Sequence, residues 1–204
     1  MLDSQLRARL VAPALDSLAR RLATHGVPAG AVTAAAFAAG AAACVAAGLG
    51  SWWVALALWI ANRTLDGLDG LVARRVGPTD LGGYFDLACD LVVYAGFVVA
   101  VAVAVPGARL ACVALLAAYY VNAGAWLSYS ALAERRRLGG GGGGGGGDNR
   151  SLRFVPGLAE GAETFLAYVL LCLLPEHATT IAWAFAALVA LSATQRVVLA
   201  VRTL

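Results

Sequence analysis

Charged residues are scarce in this sequence of 204 residues: they make up 13% of it, whereas 61% of the residues are hydrophobic. A soluble domain of this length needs more polar side chains than that to cover its surface. The apolar runs are continuous and rich in Ala, Leu and Val, without the alternation that marks the strands of a membrane β-barrel. Because a backbone in lipid must satisfy its own hydrogen bonds, these runs predict transmembrane α-helices.

Lysine is absent, so arginine carries all of the basic charge, and the formal net charge is +3. The four cysteines lie at irregular intervals inside apolar runs, a pattern that fits neither a disulfide framework nor a zinc site. The first 25 residues lack the apolar core of a signal peptide. Apolar residues recur there at every fourth position from Leu6 to Leu22, which predicts an amphipathic helix over 1–25, either on the cytoplasmic membrane face or solvated.

Six apolar segments are each near the roughly 20 residues that a hydrocarbon core of ~30 Å requires. They cover residues 29–50, 52–72, 84–105, 110–133, 158–174 and 179–201. We therefore expect residues 26–204 to form one all-α, six-span membrane domain. An unbroken glycine run, 139–147, lies in the loop at 138–151 and predicts a flexible tether. No internal repeat is evident, so the plan of an inverted-repeat transporter lacks support.

The arginines are distributed unevenly between the two sides of the predicted membrane domain. Those on one side are Arg74 and Arg75 after the second span, residues 135–137 with Arg150 and Arg153 after the fourth, and Arg202 near the end. The opposite side has Arg109. The positive-inside bias therefore predicts a multi-pass protein of the cell membrane with both termini and the two long loops in the cytoplasm.

Four aspartates stand where the second and third spans approach the cytoplasm, and ionisable side chains at membrane depth are candidates for function. Asp66 and Asp69 are three residues apart, and Asp86 and Asp90 are four apart, so each pair lies on one helix face. The short loop between the spans lets the two faces meet. Four carboxylates without cations would repel one another. Two divalent cations would neutralise them, and oxygen ligands favour Mg²⁺ or Mn²⁺, which can clamp a diphosphate.

The residues from Asp66 to Asp90 read D-x2-D-G-x2-A-R-x7-G-x3-D-x3-D. This pattern resembles the signature of the CDP-alcohol phosphotransferase family, the membrane enzymes of phospholipid synthesis, and six spans with an amphipathic N-terminal helix resemble the plan of that family. The resemblance implies transfer of a substituted phosphate group, such as phosphatidyl from CDP-diacylglycerol, to a small hydroxyl acceptor with release of CMP. It also implies a homodimer among membrane lipids, and no nucleic-acid partner is expected.

The resemblance also assigns roles to the matching positions. Asp66, Asp69 and Asp86 would be ligands of the two divalent cations, and Asp90 would be both a further ligand and the general base. The CDP group would be lined by Asp66, Gly70, Ala73, Arg74 and Gly82. Thr33 is assigned to the same nucleotide site, although the Asn that precedes the corresponding Thr in many members of the family is missing here.

The acceptor alcohol has four candidate contacts on the cytoplasmic side: Glu160, Glu163, Arg150 and Arg153. The two glutamates are three apart at the start of the fifth span, where acids also complement a helix N-terminus. For the aspartates, ion pairs with Arg63, Arg74 and Arg75 are a purely structural alternative. A cation or proton transporter, or a catalytically inactive family member, also stays open, although carboxylates at one membrane face argue against transport.

Overall fold

The computed structural model describes residues 12–139 and 161–203, and within these ranges the regular structure is entirely helical, as the sequence predicts. The helices are α1 (Ala12–Thr24), α2 (Ala29–Gly48), α3 (Trp52–Val76), α4 (Asp80–Ala104), α5 (Arg109–Gly139), α6 (Gly161–Leu173) and α7 (Ala178–Thr203). Single 3₁₀ turns that begin with proline, Pro106–Ala108 and Pro175–His177, precede α5 and α7. The predicted tether at 139–147 and residues 1–11 of the predicted N-terminal helix lie outside the described residues, apart from Gly139 at the end of α5.

Four helical segments of the described chain are long and apolar enough to cross a membrane: Ala29–Gly48, Asp80–Ala104, Pro106–Arg136 and Pro175–Thr203. Helices α3 and α6 are not among these four. Helix α3 has 25 residues but contains the charges of the aspartate motif, and α6 has only 13 residues. The apolar helices make the chain an integral membrane protein, which confirms the predicted class. The count of six spans stays a prediction.

Helices α3 and α4 extend towards each other beyond the apolar segments that we predicted. Helix α3 continues four residues past the predicted span limit at residue 72, and α4 begins four residues before the limit at 84, because helical backbone runs through the polar residues of the motif. The turn between the helices is short: Gly77 adopts φ 104°, a left-handed conformation that favours glycine. Thr79 caps α4 by accepting a hydrogen bond from the Gly82 amide at 3.1 Å.

The helices pack through small residues on one side and through aromatic rings on the other. Helix α2 packs against both α3 and α4, and α5 packs against α7. The buried face of α2 includes Ala36, Gly40, Ala43 and Ala47, a series of small residues that lets helix backbones approach closely. On α3, Trp59 is fully buried against the rings of residues on α4 and α6, and its indole N–H donates to the Phe165 carbonyl at 3.4 Å. This packing fixes the turns of α3 that precede the aspartates.

Helix α1 packs against the end of α3, beside the aspartate motif. Its apolar side joins a small buried cluster of Ala19, Val32, Leu68 and Val72. On its polar side, Asp16 accepts hydrogen bonds from Arg75 at 2.7 Å and from Arg20 at 3.1 Å. Arg75, and then Arg20, hold the pKa of Asp16 below its usual value. Helix α1 is therefore held against α3 by both its apolar side and its polar side.

Replacing Gly40 with alanine is expected to destabilise the protein by about 1–3 kcal/mol, because α2 has no room for another carbon there. A Cβ at this position would lie 2.7 Å from Cγ2 of Val93 and 2.8 Å from Nδ2 of Asn62. Gly48 is the matched control on the same helix, since its nearest neighbour would be Cβ of Ala100 at 3.7 Å. Gly48→Ala should leave stability unchanged or raise it by up to about 1 kcal/mol. Thermal unfolding in detergent distinguishes the two, and equal effects would contradict the close packing at Gly40.

Candidate metal and nucleotide site

The hairpin of α3 and α4 brings the two aspartate pairs to the same level. Asp69 precedes the last residue of α3 by seven positions, and Asp86 follows the first residue of α4 by six. At a rise of 1.5 Å per residue, both lie about 10 Å from the turn. Side-chain contacts run in antiparallel order along the two helices: Trp59 meets Phe97, and Arg63 meets Asp90. The spacing within the motif is therefore what places the carboxylates opposite one another.

Three of the four carboxylates form a cluster, which we call the Asp66–Asp69–Asp86 cluster. One oxygen from each lies within 4.8 Å of the other two. Asp69 is the most deeply buried, with 4% of its surface exposed, and its Oδ2 atom has no hydrogen-bond partner. A buried, unpartnered carboxylate oxygen is costly, and neighbouring negative charges increase that cost. The cluster therefore needs a positive charge to compensate it.

Asp90 lies apart from this cluster and is bound by an arginine. Nη2 of Arg63 donates to Oδ1 of Asp90 at 2.6 Å, and Nη1 lies 3.4 Å from Oδ2. Nη1 also lies 3.5 Å from Oδ2 of Asp66, so the guanidinium connects a motif aspartate of α3 to one of α4. The structure thus gathers three of the four predicted carboxylates and pairs the fourth with Arg63 next to them.

Arg63 is itself held on every side by polar and aromatic groups. Its Nε donates to Oδ1 of Asn62 at 2.8 Å, and its Nη1 donates to the Tyr94 hydroxyl at 2.8 Å. Its guanidinium carbon lies 5.0 Å from the Trp59 ring centroid and 5.1 Å from that of Tyr94. Sequence reasoning considered Arg63 only as a structural ion-pair partner. The signal that it overlooked is an ionisable residue within a predicted span, three positions before Asp66 and on the same helix face.

The residues assigned to the nucleotide site lie near the cluster on three helices, and each makes different contacts. Thr33 of α2 lies beside the Asp69 carboxyl group, which brings a third helix to the cluster. A Cβ on Gly70 would lie 3.5 Å from Nη1 of Arg74, so the arginine side chain passes over this glycine. Ala73 is half-buried one turn further on, and Gly82 contributes its amide to the cap of α4. The end of α3 and the start of α4 therefore both present small residues next to the carboxylates.

The candidate acceptor residues can be placed only in part. Glu163 is half-buried in the first turn of α6 and takes part in a polar interaction. Glu160, Arg150 and Arg153 lie outside the described residues. The neighbouring Thr164 is buried, and the Tyr168 hydroxyl, one turn further along α6, donates to the Tyr94 carbonyl at 2.7 Å. Helix α6 thus contacts α4 close to Arg63 and Asp90.

Divalent cations fit the Asp66–Asp69–Asp86 cluster on chemical grounds. Mg²⁺ and Mn²⁺ prefer oxygen ligands, and three carboxylates on two helices offer them within a small radius. The unpartnered Oδ2 of Asp69 is a ligand atom that no protein donor occupies. Arg63 contacts Asp66 but carries one positive charge, too little to balance the carboxylates around it. The cluster is therefore able to bind metal.

Comparison with solved structures identifies the fold that presents this cluster. The chain is similar to phosphatidylinositol phosphate synthase (PgsA1) of Mycobacterium tuberculosis, which was crystallised with CDP-DAG bound. The TM-score is 0.71 and the sequence identity 17%, over 91% of this chain and 92% of that one. The chain thus has the fold of this synthase, the fold expected for the CDP-alcohol phosphotransferase family that the motif resembles. The resemblance predicted from the motif is confirmed.

A curated relative places the chain more narrowly. It is 36% identical to the inner membrane protein YnjF of Escherichia coli (strain K12) over 179 residues, which cover 86% of this chain and 83% of that protein. The chain therefore belongs to the same family as YnjF. No protein-family model matches the sequence.

Proposed function

We propose that this protein is a membrane transferase of phospholipid synthesis. It moves a substituted phosphate group, such as phosphatidyl, from a CDP-alcohol such as CDP-diacylglycerol to a small hydroxyl acceptor and releases CMP. The observation that carries the proposal is the Asp66–Asp69–Asp86 cluster with its unpartnered buried oxygen. The similarity in fold to a synthase crystallised with CDP-DAG supports the choice of donor.

Two divalent cations, Mg²⁺ or Mn²⁺, are the cofactors of the proposed reaction, with Asp66, Asp69 and Asp86 as ligands and Asp90 beside them. When bound, such ions neutralise the negative charge of the diphosphate and of the phosphoryl group in transit. The supporting observation is the closeness of three hard oxygen ligands on two helices. Thr33, Gly70, Ala73, Arg74 and Gly82 would then receive the CDP group, with Arg74 placed to bind a phosphate by charge-assisted hydrogen bonds.

In the proposed step, the acceptor oxygen attacks the phosphorus that bears the alcohol of the donor. The bond from that phosphorus to the bridging diphosphate oxygen breaks, and CMP leaves with the bond's electron pair. Asp90 accepts the proton of the acceptor hydroxyl, as a general base within reach of the reacting group does. The contact with Arg63 supports this role, because it holds the Asp90 carboxylate next to the cluster that would bind the donor.

The proposed orientation, acceptor contacts and oligomeric state are based on the distribution of charge and on the family resemblance. The arginine-rich segments favour a cytoplasmic active site with both termini in the cytoplasm. Glu160, Glu163, Arg150 and Arg153 are the proposed contacts of the acceptor, and the functional unit is proposed to be a homodimer. The name of its relative YnjF supports location in the inner membrane.

Release of CMP from a CDP-alcohol by the purified protein is the expected result of the direct test. The full chain in lipid nanodiscs would be incubated with CDP-diacylglycerol or a CDP-linked head group, a panel of hydroxyl acceptors, and Mg²⁺ or Mn²⁺. CMP release should require the donor, an acceptor and the metal, and chelation with EDTA should abolish it, because the diphosphate is bound through the cations. The acceptor that gives the highest turnover identifies the substrate.

The control is a variant in which Asp66, Asp69 and Asp86 are all replaced by asparagine. It measures CMP release by contaminating enzymes, since asparagine has nearly the same volume as aspartate but no negative charge. Equal CMP release by this variant and the wild type would contradict the proposal. Cation flux across liposomes without nucleotide turnover would favour a transporter instead, and absence of both activities would favour an inactive family member.

A further inference from the structure

We infer that Arg63 is a positioning residue for Asp90, fixing the orientation of this carboxylate next to the Asp66–Asp69–Asp86 cluster. The inference goes beyond the motif, which does not include Arg63, and its catalytic part rests on the proposed function. Arg63 stands on α3 and Asp90 on α4, 27 residues apart in sequence. The contact therefore links two different helices.

Arg63 is held rigidly by contacts other than those with the two aspartates. Asn62 accepts from Nε of Arg63 and donates through its own Nδ2 to the Ala36 carbonyl at 2.8 Å, so the arginine is tied to α2 as well. The rings of Trp59 and Tyr94 lie against the guanidinium, and 10% of the arginine side chain is exposed. A guanidinium restrained in this way has little freedom left to lose when it binds a carboxylate.

The tyrosine that supports Arg63 is itself fixed by further hydrogen bonds. The Tyr94 hydroxyl accepts from Nη1 of Arg63, while the backbone carbonyl of Tyr94 accepts from the hydroxyl of the fully buried Tyr168. The Tyr168 hydroxyl also lies 3.1 Å from that of Tyr119. Residues from α3, α4, α5 and α6 thus contribute to one buried network that ends at Asp90. Such a network specifies one arrangement when all of its members are satisfied.

The two carboxylate oxygens of Asp90 are held to different extents. Nη2 binds Oδ1 at 2.6 Å, whereas Nη1 lies 3.4 Å from Oδ2 and makes its short contact with Tyr94 instead. One oxygen is therefore firmly held, and the other retains capacity to accept a proton from a substrate hydroxyl. Lysine could supply the charge but not the planar fork that contacts Asp90, Tyr94 and Asn62 together.

Arg63→Lys is expected to lower kcat for CMP release by about 10- to 100-fold, the usual cost of losing a group that orients a reactive ligand. The KM for the CDP donor and the affinity for Mn²⁺ should change by less than about threefold, because Arg63 is proposed to act through Asp90. Arg75→Lys, on the same helix, is the matched control and should retain full turnover. In Arg63→Ala, guanidinium chloride at millimolar concentration should restore part of kcat, whereas sodium chloride should not.

A double-mutant cycle distinguishes positioning of Asp90 from general support of the fold. In a background with Asp90→Asn, Arg63→Lys should lower the residual turnover by less than about threefold, since residues that act as a unit are not additive. The same loss in both backgrounds, or the absence of guanidinium rescue together with a raised donor KM, would overturn the inference.

A cycle of thermal midpoints keeps the pairing testable without any substrate. The midpoints of the wild type, Arg63→Lys, Asp90→Asn and the double variant would be measured in detergent with the metal removed. Non-additive shifts support the pairing, and additive shifts overturn it. If the wild type releases no CMP, the proposed function and with it the catalytic part fail, and the thermal cycle alone then decides whether Arg63 orients Asp90.

Discussion

Asp90→Asn is expected to lower the rate of CMP release by about 10²- to 10⁴-fold, which is the range of general acid–base catalysis. Binding of Mn²⁺ and of the CDP donor should stay within about threefold of the wild type, because Asp90 lies outside the Asp66–Asp69–Asp86 cluster. Asparagine keeps an oxygen that can accept from Arg63 but cannot take up a proton. The variant therefore removes the base and leaves the surrounding contacts in place.

Single-turnover release of CMP and binding of Mn²⁺ by electron paramagnetic resonance would be measured on the same preparation. Asp80→Asn is the control: Asp80 is exposed in the first turn of the same helix, α4, and the substitution is chemically identical. Its turnover should equal that of the wild type. Undiminished turnover in Asp90→Asn would remove Asp90 from the mechanism, and a loss of Mn²⁺ binding of the same size would make it a ligand instead of a base.

Much of the site could be predicted because its geometry is local. The separations of three and four residues place each aspartate pair on one helix face, and a turn of three residues between helices then determines which pairs oppose each other. Asp69 and Asp86 meet because they are nearly equidistant from Gly77, Pro78 and Thr79. The helical class could also be predicted, since the apolar runs are continuous and do not alternate as barrel strands do.

The pairing of Asp90 could not be predicted, because it depends on which side chain reaches across between helices. Spacing shows that Asp86 and Asp90 share a face, but not that Asp90 meets Arg63 while Asp86 meets Asp69. That outcome depends on Trp59 and Tyr94, whose rings hold the guanidinium in place. The helices are longer than the predicted spans for a related reason: hydropathy detects the apolar part of a helix, whereas the backbone continues through polar residues until a turn ends it.

Asp69→Asn is expected to leave the metal-free protein as stable as the wild type or more stable. It should also remove most of the stabilisation that bound metal provides. Without metal, the unfolding temperature should rise or stay the same, since the change removes a charge that lies within 4.8 Å of two other carboxylates and has an unpartnered oxygen. With metal, the wild type should gain about 2.7 kcal/mol at 100 times its Kd. The variant should gain about 0.4 kcal/mol at that concentration if its affinity is about 100-fold weaker.

Thermal unfolding with EDTA and with Mn²⁺ at 100 times the wild-type Kd measures both effects in one experiment. At about 2–4 °C per kcal/mol for a chain of this size, the wild type should gain about 5–10 °C from the metal and the variant about 1–2 °C. Glu176→Gln, at an exposed carboxylate between α6 and α7, is the control and should keep the full metal-dependent gain. A variant that is destabilised without metal and still gains as much as the wild type would show that Asp69 supports the fold and is not a ligand. If Asp69 binds an ion, the variant should not be destabilised without metal and should gain less than the wild type from metal. The charge that destabilises the metal-free protein is then the one that binds the cation.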